Sequence, residues 1–384
     1  MAKHKILHLI TRLPIGGAER LLIDVLRNLD PARFESEVCC IQGKGELASE
    51  IEEMGIVLHD LGRMRNKHFD LGAILALRQL IRGRRIDLVH SHLYHANLYG
   101  RIAGWSERIP VVASVHNTYT QHRWHRRLIN RLLARVSFCV TAPSAEVELA
   151  IRRYDHVAAQ KVVRLVNCID LDRINSDLDV ATAKHKLGLE PDDVVIGTVG
   201  RMEEQKGHGI LLHAFAALRG LPGISVSSLR LLIVGDGRLR QATEARASQL
   251  GIVDACRFPG SMTQMADVYR AIDIFVMPSL WEGLSLAMLE AMAAGLPLVA
   301  TDVGGVRDVL GDNLHGRLVP PGDPTSLAHA LAELLLNTQL REELATSASQ
   351  CVRDTYGVSN LTRQLSILYE MAVHAHKNPR DWHR

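Results

Sequence analysis

The sequence predicts an α/β protein built from two doubly wound, Rossmann-like parallel-sheet domains. Short apolar runs alternate with stretches of helical periodicity along most of the chain, the pattern of β-α-β winding. The alternation occurs twice, on either side of a polar, poorly periodic segment. The length, 384 residues, exceeds what a single core usually organises, and a hydrophobic content of 47% supplies two.

In the first half, Ile6–Ile10 reads as a strand. Gly16-Gly17 follows as a turn, and Leu21–Leu29 has helical spacing. Further strands are predicted at Ser36–Ile41, Val57–His59, Asp87–His90, Val111–His116, Phe138–Thr141 and Val162–Val166. These assignments place an N-terminal domain at 1–168 and a linker at 169–193. A second domain at 194–357 carries strands at Val194–Val199, Leu231–Val234, Ile272–Met277, Leu298–Ala300 and Arg317–Val319. Amphipathic helices run from there to the end of the chain. Ligands of such sheets bind beyond the carboxyl ends of the strands, so the strand-to-helix loops are where function is sought.

Composition excludes several classes. A formal charge of +3 and an aromatic content of 4% argue against a nucleic-acid binder. The six cysteines, Cys39, Cys40, Cys139, Cys168, Cys256 and Cys351, form no C-x-x-C pair and sit mostly in apolar runs. They read as reduced thiols of a cytoplasmic protein. The first ten residues enter a strand directly and do not read as a signal peptide. No apolar run is long enough to span a bilayer.

The most informative stretch is Pro278–Gly305. Pro278 ends a strand. From Leu284 strong helix formers follow, and Gly295 and Pro297 stop them. Glu282 lies in the loop and Glu290 in the helix, with Gly283 read as the helix entrance. Free backbone N–H groups and the positive end of the helix dipole favour a phosphate there. An anion site between two acids suits a diphosphate flanked by two hydroxyl-rich sugars. A glycosidase pair is disfavoured: in one continuous helix the two acids stand about 12 Å apart along the axis, against about 5 Å for a retaining pair. In the loop G-R-M-E-E-Q-K-G, Arg201 and Lys206 add two cations at a strand's carboxyl edge, where they can neutralise a diphosphate.

Two histidine groups and one basic stretch complete the candidates. His90, His92 and His95 form H-S-H-L-Y-H, for which no acidic or cysteine partner completes a metal site, so no metal is expected. His116 ends the strand A-S-V-H. Between Arg108 and Ala145 there is no acid, while Arg123, Arg126, Arg127 and Arg131 cluster near Trp124 and an apolar Leu/Ile face. That helix reads as a peripheral contact with an anionic membrane, at about 1 kcal/mol per basic residue near the lipid, as a cradle for a lipid diphosphate acceptor, or as a solvated face.

The string E-G-L-S-L-A-M-L-E-A-M-A-A-G-L-P-L-V-A-T-D-V-G-G, with the G-R-x-x-x-x-K-G loop, resembles the signature of the retaining glycosyltransferases of family 4. The resemblance extends over almost the whole chain. It implies the GT-B fold, two Rossmann-like domains facing a cleft, with the last helix (about 358–384) packing back on the first domain. It implies transfer of a sugar from a UDP- or GDP-linked donor to a glycan or lipid-linked acceptor in polysaccharide or glycoconjugate synthesis, without cofactor or metal; the basic helix suggests a site at the inner membrane face, with a soluble acceptor left open. By this resemblance Glu282 approaches the donor sugar's hydroxyls and Glu290 holds the ribose. Arg201, Lys206 and the N–H groups of Gly283, Leu284 and Ser285 take the diphosphate. Gly16 and Gly17 face the phosphates and acceptor, His116 lies by the transferred sugar, and Met262 borders the nucleobase through backbone groups. One position departs from the pattern: Cys168 stands where the family usually has glycine, and cysteine tolerates a left-handed conformation poorly. The same architecture also serves nucleotide-sugar 2-epimerases and non-catalytic transferase-like subunits. The intact Arg201, Lys206, Glu282 and Glu290 set argues against the latter.

Overall fold

A computed structural model describes residues 3–64, 69–117 and 124–377. Among the described residues the strands are β1 His4–Ile10, β2 Phe34–Cys40, β3 Val57–Asp60, β4 Leu88–His92, β5 Val111–Ser114, β6 Cys139–Ala142, β7 Val162–Arg164, β8 Val194–Val199, β9 Leu229–Val234, β10 Cys256–Gly260, β11 Ile274–Met277, β12 Leu298–Thr301 and β13 Arg317–Val319. The helices are α1 Gly17–Asn28, α2 Ala48–Glu53, α3 Leu71–Arg84, α4 Leu93–Ser106, α5 Trp124–Val136, α6 Ala145–Tyr154, α7 Val180–Lys186, α8 His208–Leu218, α9 Arg240–Gln249, α10 Met265–Arg270, α11 Leu286–Ala293, α12 Val306–Leu310, α13 Pro324–Leu336, α14 Thr338–Thr355 and α15 Val358–Lys377.

The chain divides into two compact units, 1–167 with 358–384, and 168–357. The first carries a seven-stranded parallel sheet in the order β3-β2-β1-β4-β5-β6-β7. Its cores are aliphatic: Leu7, Leu9 and Val89 pack under α3 and α4, while Ile10, Val38 and Cys40 pack with Leu22 and Leu26 of α1. α15 belongs to this unit and packs against α1 and β4. The second unit carries a six-stranded parallel sheet, β10-β9-β8-β11-β12-β13, over a core that includes Ile196, Phe215, Ile233, Val276 and Leu331. Strands buried on both faces must be apolar along their length, which is why these runs stand out in the sequence.

Both sheets reverse winding direction once, between β1 and β4 in one and between β8 and β11 in the other. At such a switch point the neighbouring loops run to opposite faces and leave a crevice at the carboxyl edge. The loops carrying Gly16-Gly17, Arg201–Lys206 and Trp281–Gly283 all leave from switch-point strands.

Three details differ from the sequence reading. β10 is absent from it because Pro259 interrupts the apolar run; the strand lies at the sheet's edge, where proline's missing donor is tolerated. The segment read as linker holds α7, whose N-cap Asp179 accepts Thr182 N at 2.8 Å, and it lies within the second unit. Cys168 needs no left-handed conformation: it is buried and is not among the residues with positive φ. All six cysteines are free.

Candidate active site

In the second unit, close backbone packing assembles the switch-point loops. Gly207 ends the β8–α8 loop at φ +63°, and a Cβ there would sit 2.0 Å from the Pro278 carbonyl oxygen. Only glycine lets the start of α8 seat directly on the end of β11. Leu280 N donates to Gln205 O at 2.7 Å, and Gln205 Nε2 donates to Trp281 O at 3.0 Å. On the other side, Gly304 at φ +57° would place a Cβ 1.9 Å from Glu282 O, and Gly305 N donates to Gly283 O at 2.8 Å. The W-E-G loop is thus clamped between its two neighbours.

This clamp brings Lys206 and Glu282 into contact. Lys206 Nζ donates to Glu282 Oε2 at 2.5 Å. Gln205 Nε2 reaches Oε1 at 3.2 Å, and Ser279 Oγ reaches Oε2 at 3.4 Å. Glu282 is buried and Lys206 half-buried. Arg201, on the same loop as Lys206, is exposed; its carbonyl accepts Glu203 N at 2.8 Å, and its side chain makes no hydrogen bond or ion pair among the described residues.

The helix entrance lies two residues beyond the predicted Gly283. Ser285 is the N-cap of α11, its Oγ accepting Met288 N at 3.4 Å, and the first helical residue is Leu286. A serine satisfies the helix's orphan donors better than glycine does, so the helix starts where the serine stands. Gly283 and Leu284 are loop residues, buried with Ser285.

Glu290 lies inside α11 and is buried. Arg173 Nη2 donates to its Oε1 at 2.6 Å, and Tyr269 O–H donates to its Oε2 at 2.7 Å. The Tyr269 phenol is pushed well above its usual range, first by burial and then by the Glu290 carboxylate. Both partners are missing from the sequence reading. Arg173 falls in the supposed linker and Tyr269 in the short α10, and neither belongs to a local motif. Half-buried Met262 follows edge strand β10; among the described residues no hydrogen bond ties it to Lys206, Glu282 or Glu290.

In the first unit, Gly16 is the N-cap of α1 and Gly17 its first residue. Neither has a positive φ. A Cβ at 16 would meet only the carboxylate end of Glu19, with Oε2 at 2.5 Å, a side-chain tip that can move aside. His116 stands just past β5. Its Nε2 is buried without a hydrogen-bond partner, and burial pushes its pKa down to about 4, so the ring is neutral at pH 7. Its ring stacks on His92 at 5.7 Å. A cavity of about 30 Å³ is lined by His90, His92, Ser114, His116, Thr141 and Asn167, with leucines of α1 and α15.

The basic helix is α5. Arg123 lies outside the described residues. Trp124, Leu128 and Leu132 are 75%, 49% and 49% exposed at helical i, i+4, i+8 spacing, while Ile129 and Leu133 turn inward. Arg126 lies over the Tyr94 ring at 4.5 Å and Arg127 over the Tyr154 ring at 5.4 Å, so these two guanidiniums brace the helix. Arg131 and Arg135 are exposed. No helix among the described residues is long and apolar enough to cross a membrane.

Comparison with known proteins covers both units. Residues 179–350 match the family of glycosyl transferases group 1, and residues 15–173 match glycosyltransferase family 4. The D-inositol 3-phosphate glycosyltransferase of Corynebacterium urealyticum is 31% identical over 322 residues, covering 78% of this chain and 74% of that protein. The UDP-Gal:alpha-D-GlcNAc-diphosphoundecaprenol alpha-1,3-galactosyltransferase of Escherichia coli is 25% identical, covering 87% and 88%. Among solved structures, Anabaena Alr3699/HepE in complex with UDP and glucose superposes with a TM-score of 0.84 at 22% identity, covering 96% of this chain and all of that one, a likeness of fold.

Proposed function

Because this chain belongs to the group 1, family 4 glycosyltransferases, we propose that it moves a sugar from a nucleoside-diphosphate donor to a glycan or lipid-linked saccharide, with retention of anomeric configuration. The observation that carries this reading is the Lys206–Glu282 contact, with Arg201 on the same loop and the start of α11 beside Glu282. The leaving group of such a transfer is a nucleoside diphosphate, whose negative charge grows as the glycosidic bond breaks. Fixed cations and backbone N–H groups aimed at that charge lower the barrier without reorganising.

Each residue then has a task. Lys206 acts as a point charge on the diphosphate, and Arg201 as a forked donor to it. A bound diphosphate competes with Glu282 for Lys206, and the carboxylate so released accepts hydrogen bonds from the sugar hydroxyls. The N–H groups from Gly283 to Ala287 complete the anion site. Glu290, held by Arg173 and Tyr269, accepts the ribose hydroxyls. Met262 borders the base through its backbone. In the other unit, His116 is a neutral hydrogen-bonding group for the transferred sugar, and Gly16 and Gly17 leave the backbone open to phosphate and acceptor. No metal is assigned to this transfer.

The donor and acceptor classes draw support from relatives. The Anabaena protein is described with UDP and glucose, and the Escherichia coli relative is named for UDP-Gal and a diphosphoundecaprenol-linked sugar. The exposed Trp124–Leu128–Leu132 stripe with Arg131 and Arg135 supports a peripheral site on an anionic membrane, where lipid-linked acceptors reside.

The test is incubation with a panel of UDP- and GDP-sugars, with and without lipid-linked saccharides. Acceptor-dependent nucleotide release, giving a product of unchanged anomeric configuration, supports the reading. Epimer formation without release would make the chain an isomerase, and absence of donor binding would make it a non-catalytic subunit.

A further inference from the structure

Three histidines meet at the switch point of the first sheet. β1 and β4 are adjacent, with His8 paired directly opposite His90. Side chains alternate along a strand, so His92 faces the same side as His90. The ring centroids are 5.6 Å apart for His8–His90, 5.9 Å for His8–His92 and 4.1 Å for His90–His92. All three are buried, at 0%, 3% and 6% exposure. A ligand-capable atom from each lies within 4.8 Å of the other two.

Their hydrogen bonding is incomplete. Both ring nitrogens of His8 and both of His92 are buried without a partner among the described residues. His90 is satisfied twice, with Nδ1 2.5 Å from the Tyr369 hydroxyl and Nε2 2.7 Å from Ser114 Oγ. Buried polar atoms are nearly always paired, because losing water without a replacement is unfavourable. If the sheet needed only bulk at 8 and 92, leucine would serve better. One nitrogen from each ring lies within 4.8 Å of the other two, and an ion bound there would give His8 and His92 a partner.

We propose that His8, His90 and His92 form a binding site for a zinc-class divalent ion. Neutral imidazoles are the ligands that zinc, cobalt, nickel and copper prefer, whereas calcium and magnesium take oxygen. Tetrahedral zinc at 2.0–2.1 Å from each nitrogen spaces the ligand atoms by about 3.4 Å. Ring rotation must therefore draw them in from the 4.8 Å limit. Ligation through one nitrogen of His90 displaces one of its two hydroxyl partners, and the other nitrogen keeps its own, which fixes the ring. The adjoining cavity of about 30 Å³ has room for a water in the fourth position. The ion would tie β1 to β4 and is distinct from the cations of the donor loop, which belong to the other unit. H-S-H-L-Y-H looks incomplete in the sequence because its third ligand, His8, lies on another strand. His95 is exposed and takes no part.

The test uses the full chain without a polyhistidine tag, stripped by a chelator and then given zinc chloride alone or cobalt chloride alone. The expected result is about one zinc per chain, a rise in Tm with zinc, and the intense visible bands of tetrahedral cobalt. His8→Leu and His92→Leu should each lose all three signals, while His185→Ala, at an exposed histidine, should keep them. Equal zinc uptake by wild type and both leucine variants would overturn the site. So would a wild-type chain that takes up no zinc or gives only the weak bands of octahedral cobalt, whether or not the variants fold.

Discussion

Lys206 Nζ and Glu282 Oε2 are hydrogen-bonded at 2.5 Å, an ion pair between the two switch-point loops of the second sheet. The pair has two functions that mutation can separate. Lys206→Met removes the cation from the diphosphate and leaves the Glu282 carboxylate buried with only Gln205 and Ser279. Turnover should fall ~100-fold or more, the scale of removing one fixed donor from a developing anion, and Tm should fall too, because an uncompensated buried charge is destabilising. Adding Glu282→Gln should recover most of the Tm and none of the turnover. Wild-type kcat in Lys206→Met would remove the residue from catalysis.

Glu290 offers a second separable effect. Tyr269→Phe deletes one neutral donor and leaves the Arg173 bond intact. The carboxylate that accepts the ribose is then held less firmly, so donor KM should rise by up to roughly tenfold, about 1.4 kcal/mol, with kcat little changed, since the ribose is held equally in ground and transition states. Arg173→Met should raise KM further. Steady-state kinetics with varied donor checks both. A fall in kcat at constant KM would place Glu290 at the reacting centre instead.

These two acids also mark how far the sequence could be read. Glu282, Glu290, Arg201 and Lys206 lie in short strings whose strands and turns declare themselves locally, through buried parallel strands, Gly207, Gly295 and Pro297. The parallel winding follows from such runs, whereas the strand order and the two switch points are seen only in the folded sheets. Arg173 and Tyr269 were illegible because their meaning lies in a contact with a residue far along the chain, and no periodicity records that. The same holds for His8, whose partners sit on β4. The helix entrance is displaced by two residues from the glycine that the sequence offers, because capping depends on the Ser285 hydroxyl.

His208 gives a pH prediction. It is buried at the start of α8, both ring nitrogens lack a partner among the described residues, and its pKa is lowered to about 4, first by burial and then by Lys206. The unfolded chain therefore takes the proton first. Stability from this residue is intact above about pH 6.5 and is lost as pH falls toward 4. At pH 5 the loss is about 2 kcal/mol. His208→Leu should shrink the drop in Tm between pH 7 and pH 5 relative to wild type. An unchanged drop would mean that the imidazole is not held neutral.

The exposed stripe on α5 predicts membrane behaviour. Trp124, Leu128 and Leu132 present an apolar edge beside Arg131 and Arg135, while Arg126 and Arg127 are occupied by Tyr94 and Tyr154. The chain should therefore cosediment with vesicles containing anionic phospholipid and less with neutral ones, the difference shrinking as salt rises. Leu128→Glu with Leu132→Glu should abolish sedimentation and leave Tm nearly unchanged, because both side chains already face water. Arg126→Ala should do the reverse, lowering Tm through the lost stacking on Tyr94 more than it weakens vesicle binding. If the double glutamate variant still sediments fully, α5 is a solvated face and lipid contact lies elsewhere.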